Sequence, residues 1–267
     1  MLKGWISSQL FLGLAQAGMA AGVALVVVLL ARRRRMRLES SVAVAMLRGL
    51  VQIVAVGSVL VVVLRGPRWT SGLILAAMMA AAAGISGQRA RNIPGAFQVS
   101  LSAIAVGAGS VIALMALAGV IDSAITALIP VGSMIIANAM NTNGLALNRF
   151  RSEVTAHAGE IEAALALGAP AEQTVSRHVH AAFEASLIPA IDNLRSLGIV
   201  WIPGLMAGMV LSGSPPLYAA IYQFVVLAMI FAASGLTCLV STALIRSRAF
   251  SPAEQLILRT ESAVVGR

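Results

Sequence analysis

Residues 10–31 read LFLGLAQAGMAAGVALVVVLLA, without one charged side chain, and run straight into Arg32-Arg33-Arg34-Arg35-Met36-Arg37. At 1.5 Å per residue such a helix crosses a hydrocarbon core of about 30 Å, and the arginines stop it at the interface. A cleavable leader has a shorter apolar region and ends in small residues, so this stretch is expected to remain as a span. Residues 41–64, 70–87 and 97–121 are apolar over comparable lengths. A fifth run, 124–147, is seeded with Pro130, Gly132, Asn138, Asn141, Asn143 and Gly144, and a kinked or broken helix is expected there. A sixth, 194–211, is interrupted by Pro203 and Gly204, and a seventh covers 216–245. The expected fold class is all-α: a polytopic membrane helix bundle of about seven transmembrane helices, with residues 1–267 as a single transmembrane domain.

Composition agrees. Of the 267 residues 59% are hydrophobic and 11% charged, and the mean hydropathy is +0.91, which leaves too little polar surface to cover a soluble globule. Cys238 is the single cysteine and can form no intrachain disulfide. Lys and Arg concentrate on the cytoplasmic side of short loops. An N-out, C-in arrangement puts Arg32 to Arg35, Arg37, Arg89, Arg91, Arg149, Arg151, Arg177, Arg195, Arg246, Arg248, Arg259 and Arg267 inside. It leaves only Lys3, Arg65 and Arg68 outside, with Arg48 within the second span. The same arrangement accounts for the net charge of +9 without nucleic acid as a partner, because the arginine run anchors a loop and touches anionic lipid.

The long inner segment, residues 148–193, carries all three histidines and most of the acids. Within it, Gly159-Glu160-Ile161-Glu162-Ala163-Ala164-Leu165-Ala166-Leu167-Gly168-Ala169-Pro170 reads as a short helix that stops at a glycine, with Pro170 opening a second helix through Phe183. Ile161, Ala164, Leu165 and Gly168 recur at helical spacing, a small-residue face suited to docking in a groove.

Glu162, Ala163, Ala164 and Gly168 resemble the EAA loop of ABC importer permeases, where E-A-A, three residues and G form the coupling helix seated in a cleft of the ATPase subunit. Ile188-Pro189 lies farther downstream than in the usual version, which implies a longer second helix. Over nearly the whole chain the sequence resembles the Fet-type iron-export ABC permeases, a family that includes plant permeases linked to aluminium tolerance. Four stretches carry that resemblance: Arg48-Gly49-Leu50-Val51-Gln52; Ile129 to Asn141, running on to Arg149; the Glu162 to Gly168 helix; and Ser186 to Gly198, continuing to Pro203-Gly204-Leu205-Met206-Ala207-Gly208. Tyr222-Gln223 adds to it, whereas Ala137 and Asp192 depart from it.

The resemblance implies a permease of the bacterial cytoplasmic (inner) membrane that forms a homodimer, binds two copies of an ABC ATPase subunit and exports a metal ion, iron. Residues 148–193 would be its cytoplasmic coupling segment, with Glu162, Ala163, Ala164, Leu165 and Gly168 at the ATPase. No cofactor is expected on this chain itself, ATP being bound by the partner subunit. The residues independently require that division: a Walker A loop needs a lysine on the phosphates, and the only lysine is Lys3, with no glycine-rich loop before it. The chain is read as a transporter subunit and not an enzyme.

Candidates for the translocation path are polar groups placed where they are expensive. Arg48 sits well inside the second span, at a cost of at least about 2.5 kcal/mol unless paired or hydrated. Gln52 lies one turn on, so the pair serves either an interhelical hydrogen bond or the path. Asn138, Asn141 and Asn143 either satisfy freed backbone groups or touch the ion. Met134 and Met140 offer thioethers, which suit soft ions; for iron, core filling is the better reading of both. His178 and His180, two apart on a helix, point to different faces, and His157 stands alone. Glu39, Asp122 and Asp192 fall near span ends, where they could attract cations to a weak, transient site; no metal ligand set is legible. The alternative, a secondary transporter of a small cation without an ATPase partner, would need a coupling carboxylate within the membrane and an internal repeat, and neither is evident.

Overall fold

The computed structural model describes residues 2–33, 39–64, 66, 67, 69–90, 93–122, 124–251 and 253–258. Arg34, Arg35, Arg37, Arg65, Arg68, Arg91, Arg259 and Arg267 of the charge argument lie outside these residues. The described chain is all-α, with no strand and only two isolated bridges, Leu197 with Trp201 and Phe250 with Leu256. Five of its helical stretches are long and apolar enough to cross a membrane, Phe11–Leu30, Trp69–Gly87, Ala96–Leu117, Ile125–Ala156 and Pro216–Ser247, and Val42–Ser58 is a shorter one.

The chain falls into two compact units, Met1–Gly66 and Pro67–Arg267. The first is a helical pair, α1 (Leu2–Arg33) and α2 (Glu39–Leu64). Small residues of α1, among them Ala17, Gly18, Ala21 and Gly22, face Val42, Ala43, Met46 and Leu50 of α2 across an apolar groove. Apolar side chains such as Val23, Val27, Val51 and Ile53 stay exposed on both helices, as lipid-facing surface requires.

The second unit holds α3 (Trp69–Gly87), α4 (Ala96–Ile104), α5 (Ser110–Leu117), α6 (Ile125–Ala156), α7 (Ala158–Ala166), α8 (Ala171–Thr174), α9 (Ser176–Ser196), α10 (Gly204–Leu211) and α11 (Pro216–Ser247). Its main core is apolar: Ala83 of α3, Ile104 of α4, Ile135 and Ala139 of α6, and Val226 and Ala233 of α11 are buried together. A second cluster at one end joins Phe150 and Val154 of α6 to Ile161 of α7, Val175, Ala182 of α9 and Ile245 of α11. A helix of 32 residues such as α6 is about 48 Å long, well beyond the core of a bilayer, so its last turns project from the apolar layer.

Three features differ from the sequence expectation. The fifth span is one unbroken helix. Pro130 sits inside it, in the second turn, and removes one ladder bond, to the Thr126 carbonyl, without breaking the helix; Ser133 donates to the Pro130 carbonyl at 2.8 Å. Gly132 and Gly144 are contact points and not hinges: a Cβ there would come within 2.8 Å of Leu75 and 2.9 Å of Arg89.

The expected sixth span, 194–211, is interrupted at Pro203 and Gly204 as read, but it breaks earlier as well. α9 stops at Ser196, Gly198 turns the chain at φ +75, and the eight-residue α10 restarts after Pro203. The longer second helix implied downstream of Gly168 is present as the 21 residues of α9, although the four-residue α8 precedes it.

The third difference is a π turn, Ala105–Gly109, between α4 and α5. Such a turn widens the helix, and Ser110 Oγ donates to the Val106 carbonyl there. α11 packs against this turn, with Thr237 facing Gly107.

Candidate functional site

One residue, His157, separates the end of α6 from α7. Ile161, 2% exposed, plugs α7 into the end cluster. Glu162 and Ala163 are exposed, Ala164 and Leu165 are half-buried, and Leu167 at the tip is 89% exposed. Gly168 ends the helix at φ +85. Its N–H donates to the Leu165 carbonyl at 2.9 Å, and the Ala169 N–H donates to the Ala164 carbonyl at 3.0 Å. These two bonds are the Schellman arrangement, which needs a left-handed residue that glycine supplies without a Cβ clash.

Ion pairs tie this segment to its neighbours. Arg177 of α9 binds Glu160 of α7, and Glu172 of α8 meets Arg246 of α11 at 2.7 Å. The Arg177 hydrogen bond and charge hold the Glu160 carboxyl below the usual carboxylate range. Both pairs are open to water, so they orient the segment more than they stabilise it.

The path candidates are divided between the two units. Arg48 and Gln52 are exposed on α2. Asn138 is half-buried and donates to the Met134 carbonyl at 2.8 Å, whereas Asn141 is exposed. Asn143 alone is fully buried, and its Nδ2 donates to Ser86 Oγ and Ser100 Oγ, each at 2.9 Å, locking α6 to α3 and α4. Met134 and Met140 pack against the apolar core. Asn143→Ala is expected to lower the stability of the purified protein by about 2 kcal/mol, the loss of two buried hydrogen bonds, read as a reduced Tm in detergent.

Sequence reasoning missed a polar stripe on α11. Gln223, Ser234, Thr237 and Ser241 are all buried, and their polar side-chain atoms make no hydrogen bond among the described residues. Their spacing repeats close to whole turns of 3.6 residues, so they lie along one face; that periodicity was the available signal. At the end of the unit away from α7, Asp122, Pro130, Leu205, Met209, Tyr218 and Tyr222 line a cavity of about 650 Å³. Asp122 accepts from the Ala124 N–H at 2.9 Å there, and Asp192 pairs loosely with Arg195 at 3.7 Å on the surface.

The histidines also sort differently from their spacing. His178 is buried and His180 exposed, so that pair diverges as expected, but the His157 and His178 rings lie 4.8 Å apart.

A bundle of long apolar helices, with one of them carried into an exposed helix and turn, defines a polytopic α-helical membrane protein. The chain belongs to UPF0014, an uncharacterised protein family, which matches residues 14–250. It is similar to the UPF0014 membrane protein STAR2 of Oryza sativa subsp. japonica, 31% identical over 249 residues, or 93% of this chain and 87% of that one. It is similar also to Protein ALUMINUM SENSITIVE 3 of Arabidopsis thaliana, 30% identical over 247 residues, covering 91% and 90%. A third relative is the "Probable iron export permease protein FetB" of Escherichia coli (strain K12), 28% identical over 241 residues, covering 90% and 93%. No solved structure matches the chain.

Proposed function

We propose that this protein is the membrane permease subunit of an ABC transporter, working as a homodimer with two copies of a separate ATPase subunit. ATP bound on the partner drives alternating access, and the cargo is a metal ion, iron, leaving the cytoplasm. The N-terminus faces outward and the C-terminus and α7 face the cytoplasm of a bacterial inner membrane. The observation that carries this reading is α7: a helix held to the bundle by Ile161, closed by the Gly168 turn and presenting the exposed Ala163 and Leu167 at its tip. An exposed apolar tip at the end of a long rigid helix is suited to seat in a partner's cleft and transmit its closure. The permease named for iron export among the relatives supports the cargo and the direction.

Cells expressing the permease with its ATPase are expected to hold less iron after an iron load than cells lacking the permease, measured as total cell metal. Equal iron content in the two would remove iron as the cargo. Of the buried stripe on α11, Gln223 is the candidate for path lining, because an unpartnered buried amide in a membrane helix is costly unless an ion or water meets it, whereas Thr237 is packed against Gly107. Gln223→Leu is accordingly expected to leave assembly intact and to reduce efflux.

A further inference from the structure

We propose that Glu153, His157 and His178 form a binding site for a divalent first-row transition-metal ion at the junction of α6 and α7. One nitrogen of each imidazole and one carboxylate oxygen all lie within 4.8 Å of one another. Glu153 Oε2 is 3.8 Å from Nδ1 of both histidines, and His157 Nδ1, which donates to the Glu153 carbonyl at 2.9 Å, gives up that bond to ligate. An ion held at about 2.0–2.2 Å by such donors brings them roughly 3–3.5 Å apart, so Glu153 closes on each imidazole by under about 1 Å and the widest pair by no more than about 1.8 Å. The side chains that must move are the accessible ones: His157 is 38% exposed and Glu153 19%, whereas His178, at 3%, is fixed.

Two imidazoles with one carboxylate suit zinc, iron(II) or cobalt(II), and disfavour magnesium or calcium, which take oxygen. The surroundings complete the chemistry. Arg149 holds the other carboxylate oxygen of Glu153 at 2.8 Å, an outer contact that orients the ligand.

Binding also reaches the coupling helix. Arg177 Nε donates to His178 Nε2 at 3.2 Å, so the ring proton of neutral His178 sits on Nδ1, facing Glu153. An ion at Nδ1 takes that proton's place, the ring regains the proton at Nε2, and Nε2 no longer accepts from Arg177. Arg177 is then left with Glu160 of α7. His157 is at once a ligand and the residue that caps α7, its carbonyl accepting from the Ile161 N–H at 3.1 Å. The ion thus braces the joint through which α6 drives α7. That consequence rests on the permease reading; the binding of the ion does not.

The test is titration of the purified full chain in detergent, without any ATPase, with Co²⁺ followed by its visible absorption and with Zn²⁺ followed by calorimetry. One ion per chain is expected, with binding weakened more than about tenfold in His157→Ala and in Glu153→Gln, both at accessible positions that keep the fold. His180→Ala, which removes a ring whose Nδ1–H donates to the Ser176 carbonyl at 2.8 Å, leaves binding unchanged. Excess Mg²⁺ does not displace Co²⁺. No binding by the unaltered chain, or equal binding by His157→Ala, overturns the site. Because the ATPase is absent, failure here leaves the permease reading standing, and failure of ATPase coupling leaves this site standing.

Discussion

Gly168→Val uncouples the transporter: ATPase activity of the complex and metal efflux both fall at least about tenfold, while the permease still folds. Gly168 sits at φ +85, and a Cβ there would meet nothing within 4 Å. The penalty is therefore conformational and local. A left-handed residue other than glycine costs roughly 1–2 kcal/mol, and a β-branched one most, so the turn relaxes and the two bonds to Leu165 and Ala164 are lost. Each 1.4 kcal/mol is tenfold in a docking equilibrium, which sets the size of the effect. Gly168→Asn, which tolerates this conformation, is expected to keep most of the activity. Measuring ATP hydrolysis of both variants beside an unchanged thermal transition separates loss of docking from loss of fold.

The second large effect is on assembly of the bundle itself. Gly107→Ala places a methyl 2.0 Å from Thr237 Oγ1, 2.6 Å from the Thr237 nitrogen and 2.7 Å from its Cα. Backbone cannot rotate out of the way, so α11 must leave the π turn that it packs against, at a cost of about 3 kcal/mol or more. The folded yield of Gly107→Ala in size-exclusion chromatography should collapse, and Thr237→Ala should not restore it, because the nitrogen and Cα remain. Gly84→Ala, with nothing within 4 Å, serves as the matched control and should behave as the parent.

Length and apolarity made most of the spans readable, because a bilayer demands about 20 uncharged residues and few alternatives satisfy that. The Gly168 stop was readable for a similar reason: few residues other than glycine end a helix in this way. The stretch after it was not. α9 mixes His178, His180, Asp192 and Arg195 with its apolar residues, so hydropathy took up the apolar run only at residue 194, where the chain ends α9, turns at Gly198 and restarts as α10 after Pro203. The asparagines of α6 drew attention as exceptions in an apolar run, yet only Asn143 acquired buried partners, and those come from α3 and α4. The small hydroxyl residues of α11 were passed over because Ser and Thr are ordinary in membrane helices. His157 and His178 meet only through the turn formed by α7 and α8, a tertiary contact that spacing along one helix cannot reveal.

Cross-linking from the tip of α7 tests the central claim most directly. Cys238 is buried, so Leu167→Cys, at a position 89% exposed, offers the accessible thiol. With a short maleimide–succinimidyl ester, which joins the thiol to a lysine amine, the permease purified from cells that also express its ATPase should become joined to that subunit, and Gly168→Val should weaken the product. A freely labelled Leu167→Cys with no ATPase in the preparation would contradict the account and favour transport of a small cation without ATP.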